Sequence, residues 1–288
     1  MRFPVRPLRG SLPARVEHAA RRFVWDDPRV VLDPDVTPEA FRTAMDAIEV
    51  GGTVKITKAD RHPDADALLL DNVDTTGLTI VDLGASDGST SVDLIRRLPA
   101  FASFVIADLF LTLDVVSARG RDLFFDHDGT CVLVAGRRLL AWPTRSRLVR
   151  LLTAPLVRRI MRRGTPPRQV SLLNPATRAV IAADPRVRTA VHDIFRPWPA
   201  PAPDVIKVAN VLGPYFDDDT IVRALQALHD GLAEGGHLLL VDNGRITGAE
   251  PRAGLYRRTG DGFERVAQTR TVPQLDALVP RVSGRRAG

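Results

Sequence analysis

The chain has 288 residues, of which 44% are hydrophobic and 26% charged, with a mean hydropathy of −0.04 and a formal net charge of +6. That length suits one large α/β domain carrying an insertion, or two smaller domains, with enough apolar residues to bury a core. A single cysteine, Cys131, excludes an internal disulfide, and no apolar run approaches the ~20 residues of a membrane-spanning helix. Met1 to Arg9 is basic with no apolar segment behind it, so no secretory leader is expected, and a soluble cytoplasmic protein is the expectation.

Residues 1–77 read as a helical N-terminal cap. Ser11 to Phe23 carries apolar residues at helical spacing. Thr37-Pro38-Glu39 predicts an N-cap with proline at the first helical position, and the helix should run to Val50 and stop at Gly51-Gly52. A short helix follows Pro63 through Leu70. From Leu78 strands and helices alternate, the pattern of a parallel sheet. Strands are expected at Thr79–Leu83, Ser103–Ala107, Val187–Val191, Asp204–Ala209 and His237–Val241, with helices at Ser89–Leu98 and Asp219–Leu232. Gly254–Arg258 and Phe263–Gln268 should form a terminal hairpin across Gly260-Asp261-Gly262, and the tail from Pro280 is expected to be disordered.

The long connection between the second and third of these strands is anomalous, since a βαβ crossover needs far less chain. Residues 111–182 therefore read as an insertion. Leu123–Phe125 and Thr130–Ala135 flank Asp126-His127-Asp128-Gly129, a hairpin signal. Beyond them, apolar pairs recur at helical spacing, with Pro155 expected to break the run into two helices, Thr153 capping the second and Gly164 ending it.

The segment Thr79-Ile80-Val81-Asp82-Leu83-Gly84-Ala85-Ser86-Asp87-Gly88-Ser89 carries the chemistry. An apolar strand runs into an acid, then glycines two and six positions on, then a helix start. Glycine lacks the Cβ that would keep the backbone away from a ligand. This motif resembles that of the class I S-adenosylmethionine (SAM)-dependent methyltransferases, an acid followed by Gly-x-Gly-x-Gly, with Ser86 standing for the middle glycine. The resemblance covers residues 78–268 apart from the insertion. It implies a Rossmann-like, doubly wound, mostly parallel sheet with an antiparallel terminal strand, and SAM as cofactor. It implies that Gly84, Ala85, Ser86 and Gly88 shape the cofactor loop, that Asp82 steadies it, and that Asp87 lies near the amino-acid end of SAM. Asp108, ending the second strand, takes the position that holds the ribose hydroxyls, a charge-assisted contact. Asp193 and Ile194 match the adenine slot after the third strand. Asn210, ending the fourth, is placed to touch the cofactor, and Tyr215 the substrate side. Asn210 and Pro214-Tyr215 are spaced differently from the Asn-Pro-Pro-Tyr box of amino-group methyltransferases, so that chemistry does not carry over.

A nicotinamide-binding Gly-x-Gly-x-x-Gly would need glycine at Ser86 and Ser89, and no Gly-Lys-Ser/Thr triplet follows Gly84, so neither rival loop fits. No general base announces itself: His229 reads as exposed, His127 belongs to a turn, and His192 is expected to point away. Methyl transfer can proceed by holding donor and acceptor in line, which needs no base. No metal site is expected.

Between Asp128 and Asp184 there is no acidic residue but eleven arginines, at 137, 138, 145, 147, 150, 158, 159, 162, 163, 168 and 178. Lysine occurs only at 55, 58 and 207. The bland reading of this block is a helix packed on the core with its cations solvated. The functional one is an anionic partner: a membrane surface contacted through 137–168, a phosphorylated substrate, or nucleic acid, for which stacking aromatics are scarce, Trp142 alone lying within the block. The sequence thus points to a SAM-dependent methyltransferase acting on a small-molecule or lipid-like acceptor, cytoplasmic or peripheral to the membrane. Its alternatives are a non-catalytic SAM-binding or membrane-associated regulator, and an RNA methyltransferase. Oligomeric state is open.

Overall fold

The computed structural model describes residues 3–19, 21–51, 53–54, 61–162, 164, 166–242 and 252–283. The chain opens with β1 (Val5–Pro7), α1 (Ala14–Ala19), α2 (Pro38–Met45), β2 (Glu49–Val50), β3 (Thr53–Val54) and α3 (Pro63–Asn72). Then follow β4 (Thr79–Leu83), α4 (Ser89–Arg97), β5 (Ser103–Asp108), β6 (Thr112–Ala118), β7 (Arg121–Phe125), β8 (Cys131–Ala135) and β9 (Leu139–Ala141). The remainder comprises α5 (Arg147–Met161), β10 (Arg168–Ser171), α6 (Pro175–Ala183), β11 (Val187–Val191), β12 (Val205–Ala209), α7 (Asp218–Gly231), β13 (His237–Asp242), β14 (Arg252–Thr259) and β15 (Gly262–Gln268). No helix among the described residues is long and apolar enough to cross a membrane.

Two compact units result, one of residues 1–57 with 110–176, the other of 58–109 with 177–288. The division differs from the expected cap over 1–77 and insertion over 111–182. The first unit contains a six-stranded sheet, β1-β9-β8-β7-β6-β10, antiparallel throughout. The N-terminal segment is therefore not only helical: β1 pairs with β9, Val5 opposite Ala141. One face of this sheet packs Phe124, Leu133 and Leu140 with Phe41, Met45 and Ile48 from the α2 region. Trp142 is fully buried there and donates its Nε1–H to the Ala47 carbonyl at 2.8 Å. The other face packs Val116, Leu123, Phe125 and Val134 against Ile160, Leu156 and Val157 of α5.

Several local expectations are corrected here. α2 begins as read, with Thr37 Oγ1 accepting from the Ala40 N–H at 3.2 Å, but it ends at Met45. Glu49–Val50 turns back through Gly51, at φ +59°, to pair with Thr53–Val54, because strand-forming residues flank a glycine turn. Ser11 to Phe23 yields only Ala14–Ala19 as helix, with no buried side chain to anchor more. α5 runs unbroken through Pro155, whose missing N–H would have served the Leu151 carbonyl; Leu151 lies on the exposed face, where water can replace it. Ser146 caps the helix, and Thr153 Oγ1 donates back to the Val149 carbonyl at 2.8 Å instead of capping a second one. Pro280 is not in a disordered tail: Gln274–Arg281 forms a 3-10 helix that buries Leu275 and Val279. Gly52, Arg163 and residues 284–288, also part of those expectations, lie outside the described residues.

The second unit holds a seven-stranded sheet, β11-β5-β4-β12-β13-β14-β15. Its first five strands are parallel, and β14 and β15, the expected hairpin, complete it through antiparallel pairings. This sheet is thus one of two principal sheets in a mixed α/β chain, a layout that departs from the single doubly wound sheet expected. α7 packs Ile221, Leu225 and Leu228 on Val81, Ile206 and Val208. The opposite face carries a buried charge cluster. Lys207, in the middle of β12, is fully buried and donates from Nζ to Asp66 Oδ1 of α3 at 2.7 Å. Asp82 of β4 is its cross-strand neighbour and accepts from Ser91 Oγ of α4 at 2.7 Å. Burial pushes both carboxyl groups above the usual carboxylate range, against the pull of the Lys207 ammonium.

Removing the cation leaves two buried carboxylates facing each other. Lys207→Met is expected to lower the unfolding free energy by about 3–5 kcal/mol, with Asp66→Asn recovering part of it in the double variant, read from urea midpoints.

Candidate functional site

The chain leaves β4 through β5 to β11 on one side of the sheet, then returns to β12 and β13 on the other. The winding reverses between β4 and β12, and in an open α/β sheet the crevice at such a point, outside the strands' carboxyl ends, is where ligands bind. The glycine loop lies there. Gly84, Ser86 and Gly88 all adopt left-handed backbone, at φ +80°, +59° and +77°. The Gly84 and Ala85 N–H groups both donate to the Ala107 carbonyl, at 2.8 and 3.0 Å, which ties the loop to β5.

Asp108 is brought to this loop. It is 8% exposed, and its Oδ2 accepts from the Ser86 N–H at 2.8 Å. The Ser86 hydroxyl is buried with no hydrogen-bond partner among the described residues. Asp87 is turned the other way: its Oδ1 and Oδ2 accept from the Ser89 N–H and Oγ–H, both at 3.0 Å, in a local turn that leads into α4, whose N-cap is Gly88. Asp82 lies beneath the loop in the Lys207 cluster. Neither glycine flank is open. A Cβ on Gly84 would collide with Val211 Cγ2, and one on Gly88 would lie 2.5 Å from Thr177 Cγ2. Thr177 also donates its hydroxyl to the Asp87 carbonyl at 3.0 Å.

Asn210, ending β12, holds a left-handed backbone at φ +57° while its N–H donates to the Val241 carbonyl. Its Nδ2 donates to His62 Nε2 at 3.2 Å. That assignment puts the imidazole proton on Nδ1, an atom buried with no hydrogen-bond partner among the described residues. His62 is 4% exposed, and burial, reinforced by the Lys207 and Arg61 cations, lowers its pKa to about 2. A ring so reluctant to take a proton is a poor general base near neutral pH.

Asp193 and Ile194 follow β11 directly beside Asp108, whose carbonyl accepts from the His192 N–H at 3.1 Å. Asp193 Oδ1 accepts from the Phe195 N–H in a local turn, and Ile194 is 8% exposed within the α7-side core. Tyr215 is 39% exposed, in the 3-10 turn Gly213–Tyr215. His229 is not exposed: it is 2% accessible, within 3.0 Å of the Thr259 carbonyl and edge-on to Phe263, because the β14–β15 hairpin covers the end of α7. An open depression lined by Leu70, Asn72, Thr75, Arg97 and Pro99 lies by the amino ends of β4 and β5, away from the loop.

His62, Asp66, Lys207, Thr177 and Val211 escaped the sequence reading. Lys207 had a signal: a lone lysine inside the apolar strand Val205-Ile206-Lys207-Val208-Ala209, in a chain whose only other lysines are Lys55 and Lys58. The others had none, since each acts through a contact distant in sequence.

No family profile matches the chain, and no curated protein is significantly similar to it. Among solved structures it is similar to the pyocyanin biosynthetic protein PhzM, at 13% identity and TM-score 0.36, covering 62% of this chain and 36% of that one. The S-adenosylmethionine-dependent methyltransferase SibL in its apo form is matched at 18% identity and TM-score 0.35, over 74% and 41% of the two chains. NodS, an N-methyltransferase from Bradyrhizobium japonicum WM9 in complex with S-adenosyl-L-homocysteine, is matched at 15% and 0.34, over 64% and 63%. The chain thus spans less than two thirds of each of these proteins. Likeness at this level leaves the functional reading to rest on the chain's own residues.

Gly84→Ala is expected to destabilise the protein by about 2–4 kcal/mol through backbone strain and the clash with Val211. Val211→Ala should relieve the clash but not the strain, so the double variant recovers only part of the loss of melting temperature. His62, neutral when folded and with an ordinary pKa of 6.5 when unfolded, contributes stability that is full above pH 6.5 and lost as pH falls toward about 2. Its loss below pH 6.5 approaches about 1.4 kcal/mol per pH unit, and His62→Asn should flatten that part of a urea-midpoint profile.

Proposed function

We propose that the second unit binds SAM at the glycine loop and that the chain is a SAM-dependent methyltransferase for a small-molecule or lipid-like acceptor. One observation carries the reading: the left-handed loop at Gly84, Ser86 and Gly88, tied through Ser86 to Asp108 at the reversal of the sheet. The residues present suit such a ligand. Asp108 supplies a carboxylate for a ribose diol. The Ser86 hydroxyl and His62 Nδ1 are buried polar atoms without a hydrogen-bond partner among the described residues, each costing about 1–3 kcal/mol unless a ligand meets it. When bound, SAM supplies an electrophilic methyl group on a sulfonium. The chain's share is to bind and align: Asp108 holds the ribose, Asp193 and Ile194 the adenine, and Asn210, fixed by His62, borders the cofactor at the end of β12. Asp87, whose carboxylate is engaged by Ser89, is left out of the direct contacts. The low pKa of His62 suits transfer by alignment, with no proton removed by that ring.

A second reading has its own observation. Val211 and Thr177 already fill the spaces beside Gly84 and Gly88, so the loop's glycines are required by the protein's own packing. That favours a loop kept for the fold alone, with no cofactor bound. The RNA methyltransferase reading loses ground, because Trp142, the one aromatic of the arginine block, is fully buried.

Calorimetric titration with SAM, S-adenosylhomocysteine and NAD separates these readings. Binding of the two sulfur compounds on the order of micromolar, without NAD, is expected. Asp108→Asn keeps an acceptor for the Ser86 N–H but loses the charge, and should weaken SAM at least about tenfold without a change in melting temperature. Unchanged affinity removes the ribose assignment. No binding of either sulfur compound leaves the packing role of the loop.

A further inference from the structure

The arginine-rich helix α5 buries one side and exposes another that is not simply polar. Val149 and Ile160 are buried, with Leu156 and Val157 half-buried on the sheet. Leu148, Leu151 and Leu152 are 65%, 70% and 70% exposed, and Pro155 is exposed beside them. Positions 148, 151, 152 and 155 follow the i, i+3, i+4, i+7 spacing of one helix face. Around this stripe stand Arg147, Arg150, Arg158, Arg159 and Arg162, all exposed and without an ion pair among the described residues. Arg145 is set apart, its guanidinium paired with Glu49 at 2.8 Å and lying over Trp142.

We propose that this outer face of α5 is a peripheral docking surface for an anionic lipid bilayer. Three largely exposed leucines at helical spacing are an unfavourable arrangement in water, and a ring of cations is unfavourable against an apolar partner. A bilayer interface takes both: the leucines enter the acyl boundary while guanidinium groups stay at the headgroup phosphates. Each cation brought to such a surface raises the partition coefficient about fivefold. A second copy of this chain fits poorly, since two such faces would oppose five arginines to five with no acid between residues 128 and 184. Nucleic acid would use the charge but leave the leucines wet, and the stacking aromatic it needs is buried.

Flotation of the full chain with vesicles tests the surface. It should float with phosphatidylcholine vesicles containing about one third phosphatidylglycerol, and not with phosphatidylcholine alone. Raising salt should weaken the association. Serine at Leu148, Leu151 and Leu152 together, or glutamine at Arg147, Arg150, Arg158 and Arg159 together, should each reduce the bound fraction at least about tenfold. Far-UV circular dichroism and melting temperature should not change, because every substituted side chain is exposed. The docking face lies in the first unit and the glycine loop in the second, so a failure of SAM binding would leave this expectation standing. Absence of flotation at low salt overturns the proposal. So does equal binding to neutral vesicles, or a leucine variant that floats as well as the parent chain. A dimer abolished by the leucine substitutions would assign the face to a second copy, and RNA binding that survives them, with no vesicle binding, would assign it to nucleic acid.

Discussion

A fully buried lysine sits at the middle of the second unit, and much of that unit is arranged to keep it there. Lys207 occupies the central strand β12, has Asp82 beside it on β4, and is covered by Asp66 from α3. A lysine buried without a counter-charge would be deprotonated or would unfold its surroundings. Its presence therefore constrains two strands and a helix to one relative position. Asp82 extends the constraint to α4 through Ser91. The helix that carries the glycine loop's far end is held to the sheet by the same charges that neutralise the lysine. Above the cluster, His62 is kept neutral partly by Lys207, so the polar chemistry at the end of β12 inherits its state from the same cation.

The glycine loop shows how one backbone can answer two demands. Its left-handed residues let the chain turn from β4 into α4, and Val211 and Thr177 use the space left by the missing Cβ atoms. Glycine here is explained by protein packing before any ligand is considered. What the packing does not explain are the hydroxyl of Ser86 and Nδ1 of His62, polar atoms hidden from water without a hydrogen-bond partner among the described residues. In the proposed reading, those two atoms and the carboxylate of Asp108 are what a bound ligand would meet.

The first unit rests on different physics. Its sheet is antiparallel, and its two faces are covered by different elements, the α2 region on one and α5 on the other. With both faces buried, β7 and β8 read as apolar runs, Leu123-Phe124-Phe125 and Val132-Leu133-Val134, and carry no polar alternation to mark them as part of a larger sheet. β1 and β10, three and four residues long, are edge strands whose partners are distant in sequence. An arginine-rich helix between such strands can satisfy the sheet with one face and still present leucine and arginine on the other.

Strong local signals were decided by the sequence itself. The parallel strands, the Thr37 cap, the hairpins at Asp126–Gly129 and Gly260–Gly262, and the acid-then-glycine loop were all legible. Each depends on neighbours a few residues away, through hydrophobic runs, caps and turn residues. The position of Asp108 could also be read, because it ends a recognisable strand. Only tertiary structure decided that β1 joins β9, that His229 is covered by a hairpin, that Pro155 is tolerated inside α5, and that Lys207, Asp66 and Asp82 share one dry cluster. These outcomes turn on which surfaces meet across long stretches of chain. A side chain's burial and charge partners belong to that meeting, and no local pattern encodes them.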